Sequence, residues 1–346
     1  MSSGASKWPA LLRVAASKRL GQNFLPSTSP AAQKVARAAA KAAPGGAAVE
    51  IGPGPGGLTR ALLEHMSLGV LAIEKVGQSP PPPHPPHLLL CLIASTDSPY
   101  MAQDARMDRS LRLLAAAAHE DAARRGAATG VDGERLVYVH GDVLDVDWNQ
   151  VDGLLTRYWP HGDKTVLVGN LPFNISTTLL LLLLSHMATG DGLWRARPAT
   201  EMILMFQKEV AQMLVAKPAT PHRGRLSVLV ERYCADASLL FTVPSRAFTP
   251  APKVDGAVVH FRPHPAPLHA SPLDADDVSF DELEDLLRAL FHHRRKTSQT
   301  TLGLKIGSAR AQAVLAAAGV AGKARPQDLL LEEWLAICRA MRSIQP

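Results

Sequence analysis

The chain has 346 residues, of which 47% are hydrophobic and 20% charged. That is too apolar for a wholly disordered polymer, and at roughly 100–200 residues per domain it is enough for about two domains. Its three cysteines, Cys91, Cys234 and Cys338, lie far apart and never as CxxC, which excludes a disulfide framework or thiolate zinc centre and fits a reducing compartment; no metal is expected. The net charge of +6 is concentrated at one end: residues 1–49 hold seven basic side chains and no acid, leaving 30 basic against 31 acidic in the rest. The overall charge is therefore weak evidence for a nucleic-acid-binding body. The local clusters from His222 to Arg225 and from His292 to Lys296 are where phosphates would be met.

In chain order, residues 1–16 are rich in Ala, Ser and basic side chains and lack acids, the composition of an organelle leader. Ser29-Pro30 predicts a helix start and Pro44-Gly45-Gly46 its stop. Ala47 to Ile51 reads as a short buried strand, Gly52 to Gly57 as a glycine-rich turn, and LTRALLEHM as a helix. Val70 to Glu74 predicts a second strand, RLVYVHGD (135–142) a third, TVLVGN (165–170) a fourth and Thr200 to Phe206 a fifth, followed by a helix from about Lys208. ASLLFTVP and GAVVHFRP add two edge strands of antiparallel character. Apolar strands alternating with helices predict a parallel α/β sheet covered on both faces, a doubly wound Rossmann-like architecture. From about Phe280 the pattern is helical, so the domains expected are 17–262 and a smaller helical one at 263–346. The longest apolar run, around Thr178 to Leu184, is too short to span a bilayer, and no membrane partner is expected.

Residues 76–103, VGQSPPPPHPPHLLLCLIASTDSPYMAQ, fit none of this. One reading is a surface insertion, which loops tolerate at small thermodynamic cost. The sharper reading is a translated intron: valine codons begin with GT, a glutamine codon can be CAG, and removal of the segment joins Glu74-Lys75 to Asp104-Ala105.

Three features carry chemistry. The turn EIGPGPGG fits either a dinucleotide pyrophosphate or the amino-acid part of S-adenosylmethionine. Glu74 ends the second strand, where a carboxylate can accept two ribose hydroxyls, and Asp142 ends the third, within reach of an adenine amine. With no basic phosphate partner in the turn, the ordered set favours a nucleoside cofactor without phosphates. The sharpest signal is Asn170-Leu171-Pro172-Phe173 at the end of the fourth strand. An adenine amine is a poor nucleophile because its lone pair is delocalised into the ring. The Asn170 side chain and Leu171 carbonyl can hold its hydrogens, Phe173 can stack on the base and Pro172 stiffens the corner. The target base must then be unpaired or flipped out.

With these motifs in order, the chain resembles the rRNA adenine N6,N6-dimethyltransferase family over about residues 17–305. The matching segments are SKRLGQNFL (17–25), EIGPGPGGLT (50–59), AIEK (72–75), HGDVL (140–144), GNLPFNIST (169–177), FQKEVAQML (206–214), RLSVL (225–229) and FTPAPKVDGAVV (248–259). The resemblance implies S-adenosylmethionine as cofactor, with contacts from Gln22, Asn23, Leu25, Gly52, Glu74, Asp142 and Asn170. It implies a target adenine among Asn170, Leu171, Pro172, Phe173 and Phe248, methylated on N6 at two adjacent adenosines in the 3′-terminal hairpin loop of small-subunit rRNA. The implied partners are that rRNA and the pre-ribosomal small subunit, and a monomer is expected. TEMILMFQKEVA, GRLSVLVERYC and HHRRK (292–296) look most like the mitochondrial branch, which makes a mitochondrial location the expectation, with plastid and cytoplasm open. The alternatives are a non-catalytic mitochondrial transcription or ribosome-assembly factor keeping the fold, and a dimethylase of large-subunit rRNA. The departure from the family pattern is the stretch 76–103, which would crowd the ribose side of the pocket.

Overall fold

A computed structural model describes residues 22–26, 28–75, 89–90, 105–125, 134–162, 164–264 and 278–344. The expected leader lies outside these residues, as does all of 76–103 except the backbone at 89–90.

Helix α1 (Pro30–Ala42) begins as expected: the Ser29 hydroxyl accepts the Ala31 N–H, Pro30 fills the first turn, and Ala32, Val35, Ala36 and Ala39 form the buried stripe. It is followed by β1 (Ala47–Ile51), α2 (Gly57–His65), β2 (Gly69–Glu74), a two-residue β3 (Leu89–Leu90), α3 (Ala105–Arg125), β4 (Leu136–His140), α4 (Trp148–Tyr158), β5 (Thr165–Asn170), α5 (Ser176–Thr189), the short α6 (Leu193–Ala196), β6 (Glu201–Gln207), α7 (Lys208–Leu214), α8 (Arg225–Tyr233), β7 (Cys234–Val243) and β8 (Gly256–Pro263). Four further helices close the chain: α9 (Phe280–Phe291), α10 (Ser298–Ile306), α11 (Ser308–Ala317) and α12 (Leu331–Ser343).

The described strands form one sheet in the order β3-β4-β2-β1-β5-β6-β8-β7. Pairings among β4, β2, β1, β5 and β6 are parallel; β8 runs antiparallel between β6 and β7, as the two terminal strand predictions anticipated. The central strands are buried on both faces, so successive residues enter opposite cores. Ala47, Val49, Ile51, Leu71, Ile73 and Leu167 join the layer containing α4, α5 and α8. Ala48, Val70, Ala72, Val166 and Val168 join the layer containing α1, α2 and α3.

The chain winds from β1 outward through β2 to β4, then returns to the other side of β1 as β5. The β1/β5 boundary is therefore the topological switch point, where the loops leaving the two strands diverge and open a crevice. The carboxy-terminal helices are not walled off from this body. Leu283, Leu286 and Leu287 of α9 and Trp334 of α12 belong to the same continuous apolar cluster as α5 and α8, and Trp334 stacks on Phe291 with ring centroids 5.6 Å apart. No described helix is long and apolar enough to cross a membrane.

Candidate functional site

At the switch point one cleft is lined by Gln22, Asn23, Phe24, Leu25, Gly52, Pro53, Gly54, Pro55, Gly57, Leu58, Glu74, Asn170 and Pro172. Four separate parts of the chain, all found in the sequence, thus converge: the segment before α1, the glycine turn after β1, Glu74 at the end of β2 and the corner after β5.

The turn's shape follows from its glycines. Gly52 has φ +67° with open space where a Cβ would project, so backbone can be approached closely there. Gly54 has φ +54°, and a Cβ on it would stand 2.7 Å from the Phe24 ring. The Gly54 N–H donates to Glu74 Oε2 at 2.9 Å, which ties the turn to the end of β2 and fixes one oxygen of that buried carboxylate. The Gly52 N–H donates to the Ile73 carbonyl at 2.9 Å.

Two residues before the turn, Glu50 points into the layer under α2 and is 1% exposed. Neither of its carboxylate oxygens has a well-formed hydrogen-bond partner. Burial pushes its pKa up to about 8; the Thr59 hydroxyl pulls more weakly the other way, and repulsion from Glu74 adds to the rise.

At the β5 corner, Gly169 is packed so tightly that a Cβ would meet Leu171 Cδ2 at 2.7 Å, which sets the direction in which the chain leaves the strand. The Ile175 N–H donates to the Pro172 carbonyl at 3.1 Å and the Ser176 hydroxyl to the Phe173 carbonyl at 3.1 Å, closing the turn into α5. Leu171 is buried, whereas Phe173 keeps partial exposure. The Asn170 Nδ2 donates to the Asn23 carbonyl at 2.8 Å. A carbonyl can only accept, so this bond fixes which way the amide faces: its nitrogen is held by the protein, and Oδ1 is left as the acceptor.

Four residues named from the sequence are not on the cleft lining: Leu171 and Phe173 belong to the β5 corner beside it, and Asp142 and Phe248 lie farther off. Asp142 stands at the end of β4, one strand beyond Glu74, where it forms an ion pair with Lys75 and accepts the Leu144 N–H at 3.1 Å. Phe248 is 3% exposed in the core, its ring against the Cα side of Gly256 beside Met205. The next residue, Thr249, pairs with Phe24 through two backbone hydrogen bonds of 3.0 and 2.8 Å. Sequence reasoning passed over Phe24 and Glu50. The first lies inside a quoted motif, and the second is the acid in an otherwise apolar strand, but neither contact is implied by local pattern.

A second cleft lies between the loop after α7 and the carboxy-terminal helices. It is lined by Ala219, Pro221, Arg294, Arg295, Arg325 and Gln327. Arg294 is committed to the Pro221 and Arg223 carbonyls, both at 2.8 Å, so it anchors the loop.

The sequence profile of the family described as ribosomal RNA adenine dimethylase matches residues 124–342. The "Ribosomal RNA small subunit methyltransferase A" of Paracoccus denitrificans is 36% identical over 327 residues, covering 94% of this chain and 91% of that protein. "Dimethyladenosine transferase 1, mitochondrial" of Macaca fascicularis is 31% identical over 338 residues, covering 96% and 83%. Among solved structures, a dimethyladenosine transferase from Plasmodium falciparum superposes with a TM-score of 0.55 at 21% identity, covering 91% of this chain and 95% of that one. The 23S rRNA methyltransferase ErmE superposes with a TM-score of 0.50 at 21% identity, covering 92% and 100%; at this identity both likenesses speak to the fold.

Proposed function

The chain belongs to the ribosomal RNA adenine dimethylase family, and from that premise we propose that it methylates N6 of two adjacent adenosines in the 3′-terminal hairpin loop of small-subunit rRNA. The single observation that carries the chemistry is the Asn170 amide, which is oriented by the Asn23 carbonyl to present Oδ1 beside the glycine turn.

S-adenosylmethionine, the donor this family uses, supplies an activated methyl group on a positively charged sulfur. The residues at the switch point suit such a molecule. The turn offers a close backbone approach at Gly52, the Glu74 carboxylate lines the cleft, and no basic side chain stands among the lining residues to demand a phosphate. In this reading Gln22, Asn23, Leu25, Gly52 and Glu74 hold the donor, and Asp142 reaches its adenine from the end of β4. Asn170 Oδ1 and the Leu171 carbonyl accept the two hydrogens of the target amine and draw its lone pair out of conjugation, toward the methyl group. Phe173 stacks on the base over Pro172. Phe248 acts from behind, as packing for the Thr249 segment that pairs with Phe24. Catalysis then rests on positioning and on oriented acceptors, without a nucleophilic side chain. Holding a loop base splayed from its neighbours requires contacts to the surrounding RNA, and the Arg295–Arg325 cleft on the carboxy-terminal side suits phosphates.

The small-subunit particle as substrate, action as a monomer and a mitochondrial location are parts of the same proposal; the mammalian relatives named mitochondrial favour that location. Primer extension across the small-subunit loop after incubation with this protein and donor tests the reading directly. A strong stop at the two adenosines is expected, and its absence, or a stop in large-subunit rRNA instead, overturns it. Asn170→Ala is expected to abolish the stop while RNA affinity stays within about twofold.

A further inference from the structure

The segment before α1 bridges parts of the site that are far apart in sequence. Phe24 pairs through its backbone with Thr249, the residue after the buried Phe248. Its ring lies against Gly54 of the glycine turn, close enough that a Cβ there would be 2.7 Å from the ring. Its immediate neighbour, Asn23, offers the carbonyl that takes the Asn170 amide N–H at 2.8 Å. With both backbone and ring engaged, Phe24 has little freedom to shift along the cleft, and the Asn23 carbonyl is held with it.

We propose that Phe24 is a positioning residue that sets the direction of the Asn170 amide through the Asn23 carbonyl. The inference rests on the function proposed above but is separable from it. Without the ring on Gly54, residues 22–26 keep the Thr249 bridge and the buried Leu25 but lose their contact with the glycine turn. The Asn23 carbonyl then shifts relative to the glycine turn, and the bond that distinguishes the Asn170 oxygen from its nitrogen is weakened. An amide free to turn presents Nδ2 to the target amine part of the time, and two donors facing each other repel. The defect is therefore one of alignment and falls on the chemical step. The nature of the ring edge matters less than its bulk, so Leu should replace Phe and Ala should not.

The test measures single-turnover methyl transfer at saturating donor and RNA for the full chain and for Phe24→Ala, Phe24→Leu, Asn170→Ala and the Phe24→Ala/Asn170→Ala pair. Phe24→Ala is expected to slow the step by about 10- to 100-fold, the range that misplacement by an ångström produces. Phe24→Leu should stay within about threefold. In the double variant the Phe24 change should add less than about twofold to the residual rate, since residues acting as a unit are not additive. A loss of donor affinity alone, with the saturated rate unchanged, or fully multiplicative effects, overturns the proposal.

A second measurement does not need activity: the side-chain amide resonances of Asn170 in 15N-labelled protein, assigned by their disappearance in Asn170→Ala. Phe24→Ala should shift or broaden them and Phe24→Leu should not; unchanged resonances in Phe24→Ala defeat the positioning role. A wild-type protein that fails to methylate the RNA, yet shows this pattern, overturns the assigned function and leaves the positioning link standing.

Discussion

Replacing Glu50 by glutamine should make the protein more stable, by an amount that depends on pH. In the fold, burial raises the Glu50 carboxyl from an ordinary 4.5 to about 8. In the unfolded chain it titrates near its ordinary value. Between those limits the folded state holds a proton that the unfolded state has released, so stability falls as pH rises through the interval. The gap corresponds to about 5 kcal/mol at ~1.4 kcal/mol per pH unit, an upper bound because a buried site relaxes and admits water when it ionises. Glutamine keeps the shape and the neutral charge of the protonated acid at every pH. The two proteins should therefore have closely similar stability near pH 4.5. The advantage of Glu50→Gln should grow through neutrality and level off above pH 8 at about 2–5 kcal/mol.

Urea unfolding of both proteins at half-unit steps from pH 5 to 9 measures this. Groups away from Glu50 titrate alike in the two, so the difference curve isolates Glu50 together with its coupling to Glu74. A difference that is flat with pH, or one that favours the wild type at high pH, would refute the idea that the carboxyl is buried without adequate partners. The same group links to binding: a positively charged donor beside the turn draws the carboxyl toward its charged form. Calorimetric titration of donor in two buffers of different ionisation enthalpy should then show proton release at pH 7 in the wild type and less in Glu50→Gln.

Glu74→Ala should weaken donor binding by about tenfold or more, since it removes the carboxylate that lines the cleft and leaves the Gly54 N–H without its acceptor; an unchanged dissociation constant takes Glu74 out of the cofactor site. Gly54→Ala forces a side chain into a left-handed backbone and against the Phe24 ring. It should cost about 1–3 kcal/mol in thermal or urea unfolding, with a loss of donor affinity that Phe24→Ala partly relieves. Arg295→Ala with Arg325→Ala should weaken RNA binding similarly for all sequences and lower the slope of log affinity against log salt by about 2; an unaltered slope means the cleft meets no phosphates. A chain lacking residues 76–103 should bind donor at least as tightly as the full chain. Mature transcripts that retain those codons would show that the segment is a true insertion.

What the sequence made legible was whatever is encoded locally. Each central strand is a run of apolar residues ended by a polar one, because a strand buried on both faces has no room for alternation, and the glycine turn announces its own backbone. The role proposed for Asn170-Leu171-Pro172-Phe173 was suggested by local sequence alone, because the chemistry of an amine acceptor leaves few substitutes. Helices α3 and α4 were not individually anticipated. The first is a 21-residue helix rich in alanine and charge that follows an undescribed stretch; the second carries its own signals, with Asp147 accepting the Asn149 N–H and Trp148, Val151, Leu155 and Tyr158 buried at helical spacing, and is short and flanked by aromatic residues. The two-domain division also looks sharper in sequence than in space, because α9 and α12 complete the apolar layer over α5 and α8.

The residues that escaped notice share one property: their roles depend on partners far along the chain. Phe24 matters because Thr249 arrives beside it and Gly54 leaves space for its ring. Phe248 illustrates the converse: the family resemblance implies a place beside the target base, while its proline-rich neighbours equally suit a core ring, and it is the packing of Met205 and Gly256, distant in sequence, that shows the ring engaged in the core. Glu50 combines both lessons. In the sequence it is one polar letter in a strand that is otherwise entirely apolar, and the apolar pattern correctly places it inside. Burying an unpartnered acid is unfavourable for folding, and a strand that needed only to fold would be better served by valine at that position. Its position two residues before the glycine turn makes it a candidate for tuning the electrostatics of the proposed site, a role that the stability of β1 does not explain.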